Sequence, residues 1–349
     1  MVHFLFSSFY YYFQFTKNHF LLKSEKLIPD MNIQENIPLA QYTTLKVGGA
    51  ARFFCEAKNE EEISGAVKFA EEKKLPVFVL GGGSNILVSD KGFDGVVIRL
   101  RNSQLVIRNL DIICHGGCQL SKAVSESVKA GLTGLEWAAG IPGMVGGAVW
   151  GNAGAPWGSM ADCVESVKVL DKKDLRFKIY DLKKCDFEYR NSIFKRNSNL
   201  VILSVSLKLK KGKKEESEKR VKEILAQRKE KQPMDFPSSG SFFANPTIKD
   251  QKVISEFERE TNTKVKDNKN LYQNSGSEVK IPAAYLIEEA GLKGKKIGGA
   301  QVSEKHANFL VNAGNAKAED FIILAAVIKT RVRNKFGIQL REEVQMVGF

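Results

Sequence analysis

Two glycine-rich stretches of this chain could do chemistry with backbone alone. Residues 81–85 read Gly81-Gly82-Gly83-Ser84-Asn85, directly after the apolar run 75–80. Residues 140–154 read GIPGMVGGAVWGNAG, with glycine at six of fifteen positions where about one is usual. Glycine lacks Cβ and tolerates positive φ, so such backbone can come very close to a partner, and successive N–H groups can converge on an anion. The neighbours Leu135, Trp137, Ile141, Val145, Val149 and Trp150 are apolar, unlike a solvated Gly/Ser linker. Each stretch allows two readings: a tight buried turn, or a ligand seat. Residues 81–85 are not a P-loop, because no Gly-Lys-Ser/Thr follows, and not the Rossmann fingerprint, because Ile86 stands where the third glycine belongs. Taken together, one loop could hold a diphosphate and the other the ring end of a dinucleotide.

The bulk properties limit the partners. Fifty-three Lys and Arg against forty Asp and Glu give a net charge of +13. That invites a nucleic-acid reading. The excess is dispersed, however, and its densest run (Lys208, Lys210, Lys211, Lys213, Lys214) meets Glu215 and Glu216 at once. We read that run as a solvated connector, expect no nucleic-acid partner, and expect anionic small molecules instead. Hydrophobic residues at 43% and charged residues at 27% are those of an ordinary soluble globular protein. The five cysteines, Cys55, Cys114, Cys118, Cys163 and Cys185, form no CxxC pair, which points to reduced structural thiols, a cytoplasmic setting and no metal.

The elements that must position the glycine loops follow from periodicity. Residues 51–57 predict a strand, 60–73 a helix with Asn59 as N-cap, 75–80 a buried strand, and 86–88 and 95–100 further strands. Strands are expected at 105–107 and 111–115, then a helix over 121–129 stopped by Gly131. Residues 163–209 are strand-rich, and a helix is expected over 218–229, ended by Pro233. Beyond Pro237, helical periodicity returns at 282–290 and 317–335, residues 250–278 are polar and loop-rich, and 339–347 predict a closing strand. A domain boundary is expected near residue 212. Residues 1–30 differ from the rest: nine aromatics fall in the first twenty positions, without a run long enough to cross a bilayer or a signal-peptide cleavage site. We read them as a non-conforming extension outside the fold, disordered or upstream of a true start at Met31, with no membrane insertion.

The residues 78–88 (Phe-Val-Leu-Gly-Gly-Gly-Ser-Asn-Ile-Leu-Val) resemble the diphosphate loop of the flavin-binding fold shared with vanillyl-alcohol oxidase. The run Gly134-Leu135-Glu136-Trp137-Ala138-Ala139-Gly140-Ile141-Pro142-Gly143, continued by Val145-Gly146-Gly147-Ala148 and Asn152-Ala153-Gly154-Ala155, is similar to the flavin-ring segment of the UDP-N-acetylenolpyruvoylglucosamine reductase (MurB) family. The likeness continues through Tyr189-Arg190-Asn191-Ser192, Gly240-Ser241-Phe242-Phe243, the 297–309 motif and Glu342-Glu343-Val344, so it spans residues 36–349. It implies an α+β fold: a two-part FAD-binding domain of the vanillyl-alcohol-oxidase (PCMH) type over 31–212, with parts near 31–100 and 101–212. A C-terminal α+β substrate-binding domain would occupy 213–349, with the last strand packing back on the first domain. The shorter spacing between Ser241 and the 297–309 motif suits the family's second type, which lacks a long tyrosine-bearing lid.

The resemblance also implies chemistry. NADPH would reduce a non-covalently held FAD and leave. The enolpyruvyl ether of UDP-N-acetylglucosamine would then take a hydride and become UDP-N-acetylmuramate, a peptidoglycan precursor. Residues Gly81, Gly82, Gly83, Ser84, Asn85, Gly140, Ile141, Pro142, Gly143, Gly146, Gly147, Asn152, Ala153 and Gly154 would seat the cofactor. Arg190 would stabilise the developing enolate, Ser241 would deliver the proton, and Glu343 would act on the carboxylate as an acid or through hydrogen bonding; adjacent Glu342 leaves the register open by one residue. His306 is read as structural or part of a substrate loop, and His115 and Cys118 as structural. Ala244 stands where many relatives carry lysine, so Lys295, Lys296 or Lys305 is expected to replace that contact. A monomer is expected. The competing readings are another flavin oxidase or dehydrogenase of the same fold, and a basic nucleic-acid-binding protein.

Overall fold

The computed structural model describes residues 31–265, 273–275 and 278–349. The reading of residues 1–30 as an extension lies outside the described residues. The first sheet is built from β1 (Ile33–Pro38), β2 (Ala50–Ala57), β3 (Val77–Leu80) and β5 (Phe93–Leu100), with β4 (Ile86–Val88) standing apart from it. Its strands β2, β5 and β3 run parallel, which requires a crossover; helix α1 (Glu60–Glu72) supplies it. Asn59 Oδ1 caps α1 by accepting from the Glu62 amide at 2.8 Å, and Ile63, Ala66, Val67 and Ala70 face the core.

The second sheet has the order β12-β11-β13-β7-β6. Its strands are β6 (Leu105–Arg108), β7 (Asp111–His115), β11 (Val164–Asp171), β12 (Arg176–Asp181) and β13 (Leu200–Lys208), and every pairing is antiparallel. Between them lie α2 (Leu120–Lys129), β8 (Leu132–Thr133), the short helix α3 (Val145–Trp150), and the two-residue strands β9 (Gly154–Ala155) and β10 (Gly158–Ser159). Two further helical turns, α4 (Leu182–Cys185) and α5 (Ile193–Arg196), sit between β12 and β13. Leu170, Val201 and Leu203 of this sheet share a core with Phe53, Val96 and Ile98 of the first, so the two sheets are welded together.

After β14 (Lys210–Lys211) comes α6 (Lys214–Lys231). Ile224 is buried among Ile112, Leu132 and Leu209, with Val221 beside it. Helix α6 therefore shares its core with the preceding residues, and a boundary at 212 would cut it from its own packing. The rest comprises β15 (Ser238–Ser241), β16 (Thr247–Ile248), α7 (Gln251–Thr261), β17 (Gln273–Ser275), β18 (Glu278–Lys280), α8 (Ala283–Glu289), β19 (Lys296–Ile297), β20 (Ala300–Val302), β21 (Phe309–Asn312), α9 (Ala318–Phe336) and β22 (Gln345–Val347). A sheet of order β15-β21-β20-β19 packs under α9, whose Phe321, Leu324, Ile328, Val332 and Phe336 enter the largest core.

Two expectations change here. Residues 250–278 are not uniformly loop: α7 forms over Gln251–Thr261, capped by Asp250, and buries Ile254 and Phe257. A two-residue apolar stripe in a polar run is too sparse a periodic signal to announce that helix. The closing strand is only Gln345–Val347; Ile338 and Leu340 are buried without joining a sheet. That short strand pairs in parallel with β4, register Gln345 to Ile86 and Val347 to Val88, and so carries the chain's end back to the 81–85 loop. All five cysteines are free and buried. Among the described residues, no helix is long and apolar enough to cross a membrane.

Candidate active site

The two glycine stretches meet. A Cβ on Gly82 would lie 2.8 Å from Gly143 Cα, so only glycine permits that approach. Ser84 Oγ donates to the Pro142 carbonyl at 3.0 Å, and Gly83 and Gly143 hold positive φ of 62° and 120°. None of the amides of Gly81, Gly82, Gly83, Ser84 and Asn85 donates a hydrogen bond to a described residue. Five successive uncommitted N–H groups on a rigid turn suit an anionic group such as a diphosphate. Gly147 has nothing within 4 Å of its Cβ position, leaving open space beside this loop for a bulky ligand. By these tests the residues present fit FAD.

Several of the residues predicted to seat the cofactor also make contacts within the protein. The Gly146 amide bonds the Gly116 carbonyl at 2.9 Å, and its Cα packs on that turn. Ala153 uses both backbone groups, on Ala148 and Met160. Asn152, at φ 42°, donates from Nδ2 to the Glu188 carbonyl at 2.8 Å and accepts from the Ala161 amide at 3.1 Å. Its side chain thereby holds the loop that carries Arg190. At these positions the chain is packed on protein, whereas Gly81–Asn85 keep uncommitted amides and Gly147 faces open space.

Arg190 and Glu343 come together, and Ser241 stands next to Phe242, whose carbonyl holds the Glu343 amide. Arg190 sits at φ 54°, a left-handed conformation unusual outside glycine, with its carbonyl accepting from Lys195 Nζ at 3.0 Å. Its Nε donates to Glu343 Oε1 at 2.7 Å, and Nη2 donates to the Gly154 carbonyl at 2.9 Å. Glu343 is placed by a three-stranded clasp. Its amide donates to the Phe242 carbonyl at 2.8 Å, while Asn85 Nδ2 donates to the Glu343 carbonyl at 3.3 Å. On the other side, Asn308 locks Phe243 through both its amide and its carbonyl, at 2.9 and 2.8 Å. Ser241, paired with Phe309, precedes this clasp, and its hydroxyl has no hydrogen-bond partner among the described residues. Glu342 points elsewhere, bonding Lys329 Nζ at 2.9 Å, which separates the two neighbouring glutamates.

The electrostatics favour an anionic guest. Burial pushes the Glu343 carboxyl up, against the opposing pull of Arg190, Lys195 and Lys280. Lys280 is lowered to about 8, first by burial and then by Arg190, and its Nζ lies 2.9 Å from the centre of the Tyr189 ring. Lys195 is also lowered by burial. Three cations thus act on one carboxylate, an excess of positive charge around a half-buried acid. Lys195 and Lys280 were not among the predicted site residues. Of the expected substitutes for the family lysine, Lys305 Nζ donates to the Lys229 carbonyl at 2.6 Å. A lysine far along the chain carries no local sign of such a role; the only hint was its place just before Ile281-Pro282. His306 is buried against Phe309, with burial lowering it, and makes no contact with Arg190, Glu343 or Ser241.

A glycine-lined seat for an anion beside the Arg190–Glu343 pair suits an FAD-binding oxidoreductase. Family comparison agrees: residues 51–175 match the FAD binding domain, and residues 232–347 match the UDP-N-acetylenolpyruvoylglucosamine reductase C-terminal domain. The chain belongs to the UDP-N-acetylenolpyruvoylglucosamine reductase family. It is 40% identical over 314 residues to the reductase of Heliobacterium modesticaldum, covering 89% of each chain, and 36% identical over 327 residues to that of Clostridium novyi, covering 93% and 95%. The crystal structure of the Thermus caldophilus reductase (MurB) superposes with a TM-score of 0.70 at 34% identity, over 91% of this chain and 99% of that one.

Proposed function

We propose that this protein reduces UDP-N-acetyl-3-O-(1-carboxyvinyl)-glucosamine to UDP-N-acetylmuramate with NADPH. The observation that carries the reading is the convergence of Arg190, Glu343 and the Ser241 segment beside the glycine seat. Held by the amides of Gly81–Asn85, FAD would supply hydride carriage between NADPH and the enolpyruvyl substrate. The chain's own residues then manage charge and proton. Negative charge develops on the carbon next to the substrate carboxylate, and Arg190, already oriented by Glu343 and Gly154, is the fixed cation that stabilises it. The uncommitted Ser241 hydroxyl delivers the proton to that carbon. Glu343, raised by burial, keeps a proton to a higher pH than an ordinary carboxyl and hydrogen-bonds the substrate carboxylate. Lys195 and Lys280 hold the anionic parts of the nucleotide. The chain works as a monomer in the cytoplasm, with one cleft serving both substrates in turn.

Stopped-flow separation of the two half-reactions tests this. Ser241→Ala should leave NADPH-driven flavin bleaching within about threefold of wild type, while reoxidation by the enolpyruvyl nucleotide falls roughly 10²-fold or more. Equal loss in both half-reactions would refute the serine's role. Reoxidation by oxygen outpacing reoxidation by the nucleotide would favour an oxidase.

A further inference from the structure

One short segment grips Arg190 at both its backbone and its guanidinium. Asn152, just past the end of α3, is only 7% exposed. Its Nδ2 donates to the Glu188 carbonyl at 2.8 Å, and its Oδ1 accepts from the Ala161 amide at 3.1 Å. Glu188 opens a tight turn that Asn191 closes: the Glu188 amide donates to the Asn191 carbonyl at 3.0 Å, and the Asn191 amide to the Glu188 carbonyl at 3.2 Å. Arg190 lies inside that turn at φ 54°. Two residues beyond Asn152, the Gly154 carbonyl accepts from Arg190 Nη2 at 2.9 Å. The carboxamide thus holds the turn from behind, while the same stretch of chain holds the cation in front.

The turn needs such restraint. A left-handed φ on a residue with a side chain is strained and persists only where the surroundings over-determine it. Lys195 Nζ restrains the Arg190 carbonyl from one side, and Asn152 restrains the Glu188 carbonyl from the other. Asn152 is in turn rooted on α3, its amide donating to the Val149 carbonyl at 3.1 Å and that of Ala153 to the Ala148 carbonyl at 2.7 Å. The place of Arg190 relative to the glycine segment 140–154 is therefore set through one buried side chain. Asparagine suits the position, because its own φ of 42° is a conformation that Asn adopts more readily than most residues.

We infer that Asn152 is a positioning residue for Arg190, fixing the guanidinium where negative charge develops on the substrate, and that its carboxamide serves that turn and not the cofactor. The inference rests on reading Arg190 as the cation that stabilises the enolate. A cation displaced by a fraction of its bond length to the developing charge loses most of a stabilisation that depends on preorganisation.

Two variants keep the left-handed backbone and remove the contact. Asn152→Asp retains the acceptor for Ala161 and loses the donor to Glu188; Asn152→Gly loses both and takes the positive φ without strain. In the FAD-loaded full-length protein, each should slow reoxidation by the enolpyruvyl nucleotide at least about tenfold, carried by kcat with KM within about threefold. Flavin reduction by NADPH and FAD affinity, read by flavin fluorescence, should stay within about threefold of wild type. A double-mutant cycle separates positioning from general support. In an Arg190→Lys background, Asn152→Gly should cost less than about threefold more, because the residue acts through the arginine that has been replaced. Equal loss in both backgrounds, or loss of FAD affinity matching the loss of rate, would overturn the inference. So would reoxidation within about twofold of wild type in both variants, or failure of both to fold, which would make the carboxamide a support of the fold alone. Wild-type protein whose reduced flavin the nucleotide does not reoxidise would instead refute the proposed function itself, before any variant is compared.

Discussion

Arg190 Nε and Glu343 Oε1 meet at 2.7 Å across 153 positions of chain, and this contact ties the loop between α4 and α5 to the segment just before β22. The pair is neither a surface ion pair nor a sealed one: 28% and 14% of the two side chains remain exposed, so a substrate carboxylate can reach both. Burial raises Glu343 although Arg190 touches it.

Because a raised carboxyl releases its proton at a higher pH than usual, the protonated fraction falls as pH rises through that raised value. Reoxidation by the enolpyruvyl nucleotide should therefore slow toward alkaline pH. Glu343→Gln should lower that rate roughly 10²-fold and flatten the profile. Glu342→Gln, which loses only the Lys329 contact, should stay within about threefold. A steep alkaline fall retained in Glu343→Gln would remove the carboxyl from this role.

Lys280 gives a second pH signature, in binding. Lowered to about 8, it is charged below that pH and neutral above it. UDP affinity measured by calorimetry should weaken as pH rises through about 8, and Lys280→Met should be weak at every pH. The same sign governs stability: the charged form is disfavoured in the fold, so this lysine's burden is full below about 8 and relieved toward its ordinary value of 10.5. Binding that is flat from pH 7 to pH 9 in the wild type would place Lys280 away from the nucleotide.

Gly82→Ala tests the junction of the glycine stretches. The added methyl meets Gly143 Cα, which is backbone and cannot rotate away. The loops must separate, at about 1–3 kcal/mol of stability for an overpacked site. FAD affinity should drop more than tenfold. A variant that holds FAD as tightly as wild type would show that this close approach does not build the seat.

Phe257→Ala tests the helix that the sequence concealed. Phe257 is fully buried and meets Tyr285 and Phe336 at ring distances of 6.0 and 5.7 Å, joining α7 to α8 and α9. The truncation should cost about 3–5 kcal/mol in chemical denaturation while leaving FAD affinity of the folded fraction unchanged. A loss below 1 kcal/mol would mean that α7 contributes little to the core.

By itself, the sequence determined the features whose requirements are local. Only glycine can take the positive φ of Gly83 and Gly143 cheaply, so a diphosphate-type loop announces itself in residue types. Asn59 before α1 and the alternation in β2 and β5 are local in the same way. The motif residues Arg190, Ser241 and Glu343 could be named from the chain. The Arg190–Glu343 contact, and the bond that sets Glu343 against Phe242, could not, because they depend on β22 joining β4 in parallel and on Asn308 fixing the 242–243 backbone, pairings between residues hundreds or dozens of positions apart. Tertiary structure also decided which glycines are packed on protein and which stand open: Gly146 packs on Gly116, while Gly147 looks into open space. It alone distinguished Glu343 from Glu342, brought Lys195 and Lys280 to the cleft, and moved α6 into the core of the first part of the chain. Residue type fixes what a position is able to do; desolvation and proximity, which exist only once distant strands have paired, decide what it is given to do.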